Sequence, residues 1–385
     1  MTQLSRLAIV GLAKEATAGT YVVPTTYVPF TKADFEDNYA EIKDESIRAN
    51  DSVLQGAYQG PVTGSWSLDL LAYPDVLGHF LASMIGPDSV AAGVSTTLSA
   101  SSAVNATTIS TAVSIPAQTV IQIDTAANVE FAKVTAVSGA GPYTLTVTTS
   151  DTGAVGLTKA HTSAAPVIAQ TTHTFKQVAN VQNPTLSISV YDTLTTLGYS
   201  YAALSDLSIK IDPKASVSLT SKFTSMPGVA QTALTPTFTQ LPPLLGWQWT
   251  MTNAGAASTR GLSFDLNLKR TVDPVHSSDG TQGPREIFQG ALTADGSYKA
   301  IFENQTDLAL YNSYSQQPAT ALLQQPTVGG GASLALTMSK SGWVKGKREW
   351  GGAYVQASFS LSGIYNTVDG GSVSAVLKNF RTTAF

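Results

Sequence analysis

The chain reads as a mainly β protein with one flanking α-helix and a small all-β module inserted in its first half. Three observations predict this. Apolar and polar residues alternate with period two in segments spread from end to end, the mark of half-buried strands. Only one stretch shows clear helical spacing. Of the 385 residues, 43% are hydrophobic and only 12% charged, which is enough for a core and about half the usual charge of a soluble domain.

The strands follow in order. In Ser65-Trp66-Ser67-Leu68-Asp69-Leu70 the large apolar residues share one face and the polar ones the other. Thr185-Leu186-Ser187-Ile188-Ser189-Val190 repeats the pattern, as do 216–220 and Ser263-Phe264-Asp265-Leu266-Asn267-Leu268. Near the C-terminus Val355, Ala357, Phe359 and Leu361 alternate with Gln356, Ser358, Ser360 and Ser362. One apolar and one polar face per strand is what antiparallel sheets with a solvated side require.

The helix opens at Pro74-Asp75, with proline in the first turn and an acid at the positive end of the dipole. Leu77, Phe80, Leu81, Met84 and Ile85 keep helical spacing until Gly86-Pro87 stops it, giving a lid for one face of a β-sandwich. A weaker helix is expected from Thr306 through Tyr314. Between about 91 and 170 the chain turns Ser/Thr/Ala-rich and nearly uncharged. Short strands follow at 120–123, 130–137 and 143–148, with a turn at Ser138-Gly139-Ala140-Gly141-Pro142. Alternation resumes after Thr171. The division is therefore 1–90, an inserted β module at 91–170, and 171–385.

Chemistry is hard to place. With no cysteine, thiol catalysis, disulfides and zinc–cysteine sites are excluded. The four histidines, His79, His161, His173 and His276, lie far apart in sequence, and neither HExxH nor GxSxG occurs. The glycines at 329–331 lack the Lys-Ser/Thr of a phosphate loop. No acid–base pair or nucleophile set stands out, so the reading is not an enzyme and needs no cofactor or metal. A net charge of −4 offers no broad basic surface for duplex DNA. No apolar run is long enough to span a membrane, and Lys14 and Glu15 end the short apolar run at the N-terminus. The 272–280 turn departs from calcium-loop spacing.

Two surfaces remain. Lys340, Lys345, Lys347 and Arg348 interleave with Trp343 and Trp350, which superficially resembles a nucleic-acid surface but in an acidic chain better suits a hairpin with its charges in water and its tryptophans packed inward; the further readings are a subunit contact and, with Tyr354, a glycan-binding platform. The most charged stretch runs from Phe35 to Arg48 and includes Glu36, Asp37, Tyr39, Glu41, Lys43, Asp44, Glu45 and Arg48. With the polar segment up to Tyr58 and Gly60 it forms an extended hairpin, either a solvated loop or an arm for a neighbouring subunit.

The order of these segments resembles the tail tube (major tail) proteins of long-tailed bacteriophages. Gly11-Leu12-Ala13-Lys14-Glu15-Ala16-Thr17-Ala18-Gly19-Thr20 is similar to that family's opening G-x-x-K-E-x-x-x-G-T. The charged hairpin, the Trp66 strand and the helix from Pro74 come in the family's order. Thr172-His173-Thr174-Phe175, the 290–311 region and Phe359–Asn366 with Asp369-Gly370-Gly371 resemble later segments. The similarity covers roughly 1–90 and 171–385; the insert departs from the family core.

The resemblance implies a tail-tube-type β-sandwich or barrel subunit in the virion, assembled in the host cytoplasm into stacked six-membered rings. The tube would enclose a tape-measure protein, later pass double-stranded DNA without sequence-specific binding, and meet tail tip and terminator proteins. The hairpin at 36–60 would bridge rings. Ser65, Ser67, Asp69, Ser187, Ser189, Asp265 and Asn267 would be candidates for a lumen with few cations. The alternative is a β-rich glycan-binding surface or fibre protein.

Overall fold

A computed structural model describes residues 4–239 and 241–385, so Met1–Gln3 of the opening stretch lie outside the described residues. The first part holds β1 (Ile9–Lys14), β2 (Thr26–Val28), β3 (Phe30–Asp44), β4 (Gly56–Leu71) and helix α1 (Pro74–Met84). Then come β5 (Asp88–Ala91), β6 (Ser95–Thr97), β7 (Thr108–Thr111), β8 (Val120–Ile123), β9 (Glu130–Ser138), β10 (Tyr143–Thr148) and β11 (Pro166–Ala169). They are followed by β12 (Thr171–Phe175), β13 (Leu186–Tyr191), β14 (Thr196–Ile211), β15 (Ser218–Ser225) and β16 (Val229–Ala230). The last part holds β17 (Trp249–Asn253), β18 (Ala256–Ser258), β19 (Gly261–Val275), β20 (Glu286–Ile301) and helix α2 (Thr306–Asn312). It closes with β21 (Gln317–Gln324), β22 (Ser333–Glu349), β23 (Gln356–Gly363) and β24 (Ser374–Asn379). The fold is mainly β.

The long strands form one antiparallel ribbon in the order β3–β4–β15–β14–β19–β20–β23–β22. The alternation seen in the sequence places Trp66, Leu68, Leu70, Phe223, Leu207, Ile209, Phe264, Leu266, Tyr298 and Phe359 on its inner side, all buried. Each such side chain contributes about 1.5–3 kcal/mol when buried. Two shorter layers cover this apolar side: β2–β1–β13 runs into the start of β14, and β18–β17–β21 into the start of β22. Aromatic contacts knit the layers, with Trp249 stacked 6.2 Å from Phe264 and Trp66 edge-on to Tyr199 at 4.8 Å.

Helix α1 starts where the sequence places it, but it is no surface lid. Every residue except Asp75 is buried. The Phe80 ring meets Phe223 on the sheet side, while the Phe385 ring fills the space over Gly78 on the other. The Asn183 side-chain amide donates to the carbonyls of Ser83 and Met84, capping helix acceptors that would otherwise lack partners.

The two halves of the chain share one plan that the sequence pattern alone does not display. The series β1, β2, β3, β4, α1, β13, β14, β15 recurs as β17, β18, β19, β20, α2, β21, β22, β23, with the same pairings. β3 and β19 are both 15 residues long, and β4 and β20 both 16. Even the bulges recur. Those between Phe30 and Lys32 and between Tyr39 and Glu41 match those between Gly261 and Ser263 and between Arg270 and Val272. The one between Leu204 and Asp206 in β14 matches the one between Trp343 and Lys345 in β22.

Among the described residues, the six strands between 95 and 169 pair only with one another and enclose their own apolar cluster, including Ile109, Ile121, Ile123, Val134, Leu145 and Val167. A bridge between Leu98 and Thr111 links the two ends of this small sheet. The chain leaves the main sheet at β5 and rejoins it at β12, which lie side by side. The small sheet meets the rest through Phe131 stacked on Phe380 at 5.3 Å, Gln170 donating to the Gly330 carbonyl, and Asp151 accepting from Thr327.

Candidate functional site

Three features could act on other molecules: the hairpin beyond the sheet, the outer face of the long ribbon, and its two end edges.

The hairpin arm is formed by the far halves of β3 and β4 and the 45–55 loop. Here the alternation lapses and nearly everything is exposed. Polar groups spend their hydrogen bonds locally. Asp44 pairs with Arg48 and accepts from the Ser46 N–H, and these Ser46 contacts hold its carboxyl below the usual range. Lys43 lies 3.4 Å from Glu41, and Asp37 accepts from the Gly228 N–H at 3.0 Å. Glu36 and Glu45 point into solvent. Between these charges the arm leaves large apolar groups in water: Tyr39, Ile42, Val53, Leu54 and Tyr58, with Ile47 98% exposed. A contiguous set of that kind on a polar arm marks a contact surface. The matching hairpin of the second half is tied down, its Gln282 carbonyl accepting from the Val62 N–H at 2.8 Å.

The outer face of the ribbon is a continuous polar field. One row runs Lys32, Asp69, Thr220, Ser208, Asn267, Asp295, Ser362. Another runs Asp34, Ser67, Lys222, Asp206, Lys269, Thr293, and a third Ser218, Lys210, Asp265, Ser297, Ser360, Lys345. Ser65, Ser67, Asp69, Asp265 and Asn267 all stand on this face, half-exposed. The expectation of few cations does not hold: lysines are present, but most face a carboxylate or hydroxyl across the strand gap. In addition, Lys32 sits 2.6 Å from Asp34 along β3 itself, and Lys299 reaches over β23 to Glu349 at 3.0 Å. Burial pushes the Asp265 carboxyl upward even though Lys210 faces it and draws it back.

Ser187 and Ser189 are a correction. Both are wholly buried, because residues 15–22 cross over β13. Tyr21 Oη lies 2.6 Å from Ser189 Oγ, the Val22 N–H donates to Ser187 Oγ, and Ser187 in turn donates to Glu15. Glu15, from the opening G-x-x-K-E segment, is a buried carboxylate accepting from Gly19 and Tyr201 N–H groups and from the Thr185 and Ser187 hydroxyls. A strand that alternates Ser with Ile reads as half-solvated until a second segment covers it.

The tryptophans of the basic stretch separate. Trp343 is buried against Phe359 at 5.1 Å, as an inward-packed hairpin requires. Trp350 is not; it is 69% exposed, with the Arg348 guanidinium over its ring at 5.7 Å. Tyr354 is exposed beside it, so only two of the three platform aromatics face outward.

The histidines sit in separate structural settings. His161 bridges Asp124 and Glu130 at 3.2 and 3.0 Å inside the small sheet. His173 contacts Asp88 at 2.7 Å, and its Nε2 donates to the Asn379 side-chain oxygen and the Arg381 carbonyl. His79 is enclosed in α1, and burial pushes its pKa down to about 3. His276 is exposed in the turn, where Asp279 spends its oxygens on Thr281 and Ser277. Among the described residues no three His, Asp or Glu side chains are grouped to hold a metal ion, and no helix is long and apolar enough to cross a membrane.

Among the described residues the ribbon ends on two unpaired edges. β3 pairs only with β4, and β22 from Gly342 to Glu349 pairs only with β23. No curated protein matches the chain. The model of one protein family, described as phage tail tube protein, matches residues 5–363.

Proposed function

We propose a specific assembly role from one settled premise: the chain belongs to the phage tail tube protein family. Its place is therefore the virion tail, and its role structural. The finer reading is a subunit that closes edge to edge into rings, the rings stacking into a conduit for genome delivery. The single observation that carries this is the ribbon with both end edges bare. Such edges pair promiscuously unless covered, and ring closure covers them.

Within this reading the outer face of the ribbon lines the bore, around the tape-measure protein first and passing duplex DNA later. Alternating Lys and Asp across the strands leave no net field to hold phosphates. The small sheet at 91–170 is an inserted module on the tube exterior. Its contacts run to Leu241, Thr327, Gly330 and Phe380, none of which lies on the polar face. The arm at 36–60 reaches the next ring with its exposed Tyr39, Ile42, Ile47 and Tyr58. The work is mechanical, without catalysis or cofactor, in the stacked six-membered rings that the family resemblance implies. The burial of Trp343 removes support for the glycan platform.

Electron microscopy of the purified protein tests this. Tubes are expected from the full chain. With 45–55 replaced by an Asn-Gly turn, folded subunits and single rings are expected, without stacking. A full chain that stays monomeric at every concentration and salt tested defeats the proposal, and normal tubes from the shortened arm defeat the role given to the arm.

A further inference from the structure

The internal repeat shows how an open edge of this fold is filled. Inside the chain, β19 closes the free side of β14: Asp206 faces Lys269, Ser208 faces Asn267 and Lys210 faces Asp265. In the repeat, β22 holds the place of β14 and β3 the place of β19. These two are the bare strands at opposite ends of the ribbon. Each half therefore carries one donor and one acceptor edge, and only one of the two junctions is made within a single chain.

We propose that β22 of one copy pairs antiparallel with β3 of the next, in the register that β14 and β19 already display. The shared bulges fix that register. Lys345 and Lys347 occupy in β22 the places of Asp206 and Ser208, while Glu36 and Asn38 occupy in β3 the places of Asn267 and Lys269. Lys345 then stands opposite Asn38, and Lys347 opposite Glu36, on the polar face. All four are exposed in the lone chain, and an opposite-charge pair is formed. One step further Glu349 meets Asp34, but each already has its own lysine, Lys299 at 3.0 Å and Lys32 at 2.6 Å. Arg348, on the other side of the strand, comes opposite Phe35.

The count of chains follows, resting on the ring reading above. Each chain supplies two sheet units, so a ring whose six members are sheet units takes three chains. Three eight-strand ribbons make about 24 strands, which at roughly 4.8 Å apart give a wall about 115 Å around. That is about 37 Å across untilted and about 48 Å with strands tilted by about 40°. Six chains would double this.

The absence of cysteine makes a direct test simple. Directly opposed antiparallel residues lie about 4.5–5.5 Å apart at Cα, within disulfide reach. The double variant Glu36→Cys with Lys347→Cys, oxidised after assembly, is expected to give covalent dimers and trimers of the chain on a non-reducing gel. The control Lys32→Cys with Lys347→Cys is displaced four residues, about 13 Å, and is expected to give none. Native mass spectrometry of unmodified rings is expected to show three chains. Tubes that form but stay uncrosslinked at 36 and 347, a ladder reaching six chains, or six chains in the native ring overturn the proposal while leaving the tube reading intact. Failure of the unmodified chain to form rings defeats both.

Discussion

Glu15 is the most exposed point of failure in the opening segment, although its carboxylate is almost fully buried. Its two oxygens accept four hydrogen bonds: Gly19 N–H at 2.8 Å and Thr185 Oγ1 at 2.6 Å on one, Tyr201 N–H at 2.8 Å and Ser187 Oγ at 2.9 Å on the other. Glu15→Gln keeps the shape and one acceptor oxygen but turns an amide NH2 toward two donors. The hydroxyl can rotate away, so the cost falls on the loss of charge-assisted bonds, about 1.5–3 kcal/mol each, and on one stranded backbone N–H, about 1–3 kcal/mol. Allowing for relaxation, a net loss of about 2–4 kcal/mol is expected. Glu15→Ala, which strands every donor and leaves a cavity, should lose about 4–5 kcal/mol. For a chain of this size a loss of 2–4 kcal/mol lowers the melting temperature by about 2–5 °C. Differential scanning calorimetry of the unassembled subunit reads it, and limited proteolysis should cut first within 15–23. A Gln variant that melts within about 1 °C of the parent, uncut in that segment, would show that the carboxylate holds nothing in place.

Two further outcomes follow from buried groups. His79 is neutral in the fold, its pKa pushed down to about 3 by burial, whereas the unfolded chain takes up a proton near 6.5. The unfolded state then binds more protons between those values, so this contribution is intact above about pH 6.5 and is lost as pH falls toward 3. At pH 4 the loss approaches about 3 kcal/mol as an upper bound. Melting curves of His79→Gln against pH should be flatter on the acid side than the parent's; parallel curves would refute the assignment. Trp343→Ala should cost about 3–5 kcal/mol by opening a cavity against Phe359, while Trp350→Ala should stay within about 0.5 kcal/mol. Equal melting temperatures for the two variants would contradict the burial difference.

Local chemistry was legible where one segment decides its own state. Trp66, Leu68 and Leu70 alternate and are buried; Pro74 starts the helix; the chain leaves the main sheet at Ala91 and returns at Thr171. What escaped depends on a second segment. Ser187 and Ser189 lie beneath residues 15–22, and the outer side of α1 lies beneath Phe385, so neither is visible in its own pattern. The repeat left only a trace, Gln59-Gly60-x-x-Thr63-x-x-x-Ser67 against Gln289-Gly290-x-x-Thr293-x-x-x-Ser297. The core side chains have traded sizes: Trp66, packed on Tyr199, corresponds to Gly296, whose space is taken by Met338, Leu361 and Phe264. Cores conserve total volume and pattern more strictly than residue identity, so the register survives where the letters do not.

Joining two sheet units in one chain changes the energetics of closing a ring. Each separate partner brought to a junction loses translational and rotational freedom worth at least about 4 kcal/mol. Within this chain the β14–β19 junction forms as part of folding, so on the three-chain reading half of the six junctions carry no such association cost. The arrangement also removes a symmetry requirement. Two identical units would each carry an insert and a free arm. Here the insert is present only between α1 and β13, and the second hairpin is held to β4 through Gln282, leaving one arm per chain. In the proposed assembly a ring of three such chains presents its arms and inserts at every second unit, and successive rings rotate so that each arm meets the half that can receive it.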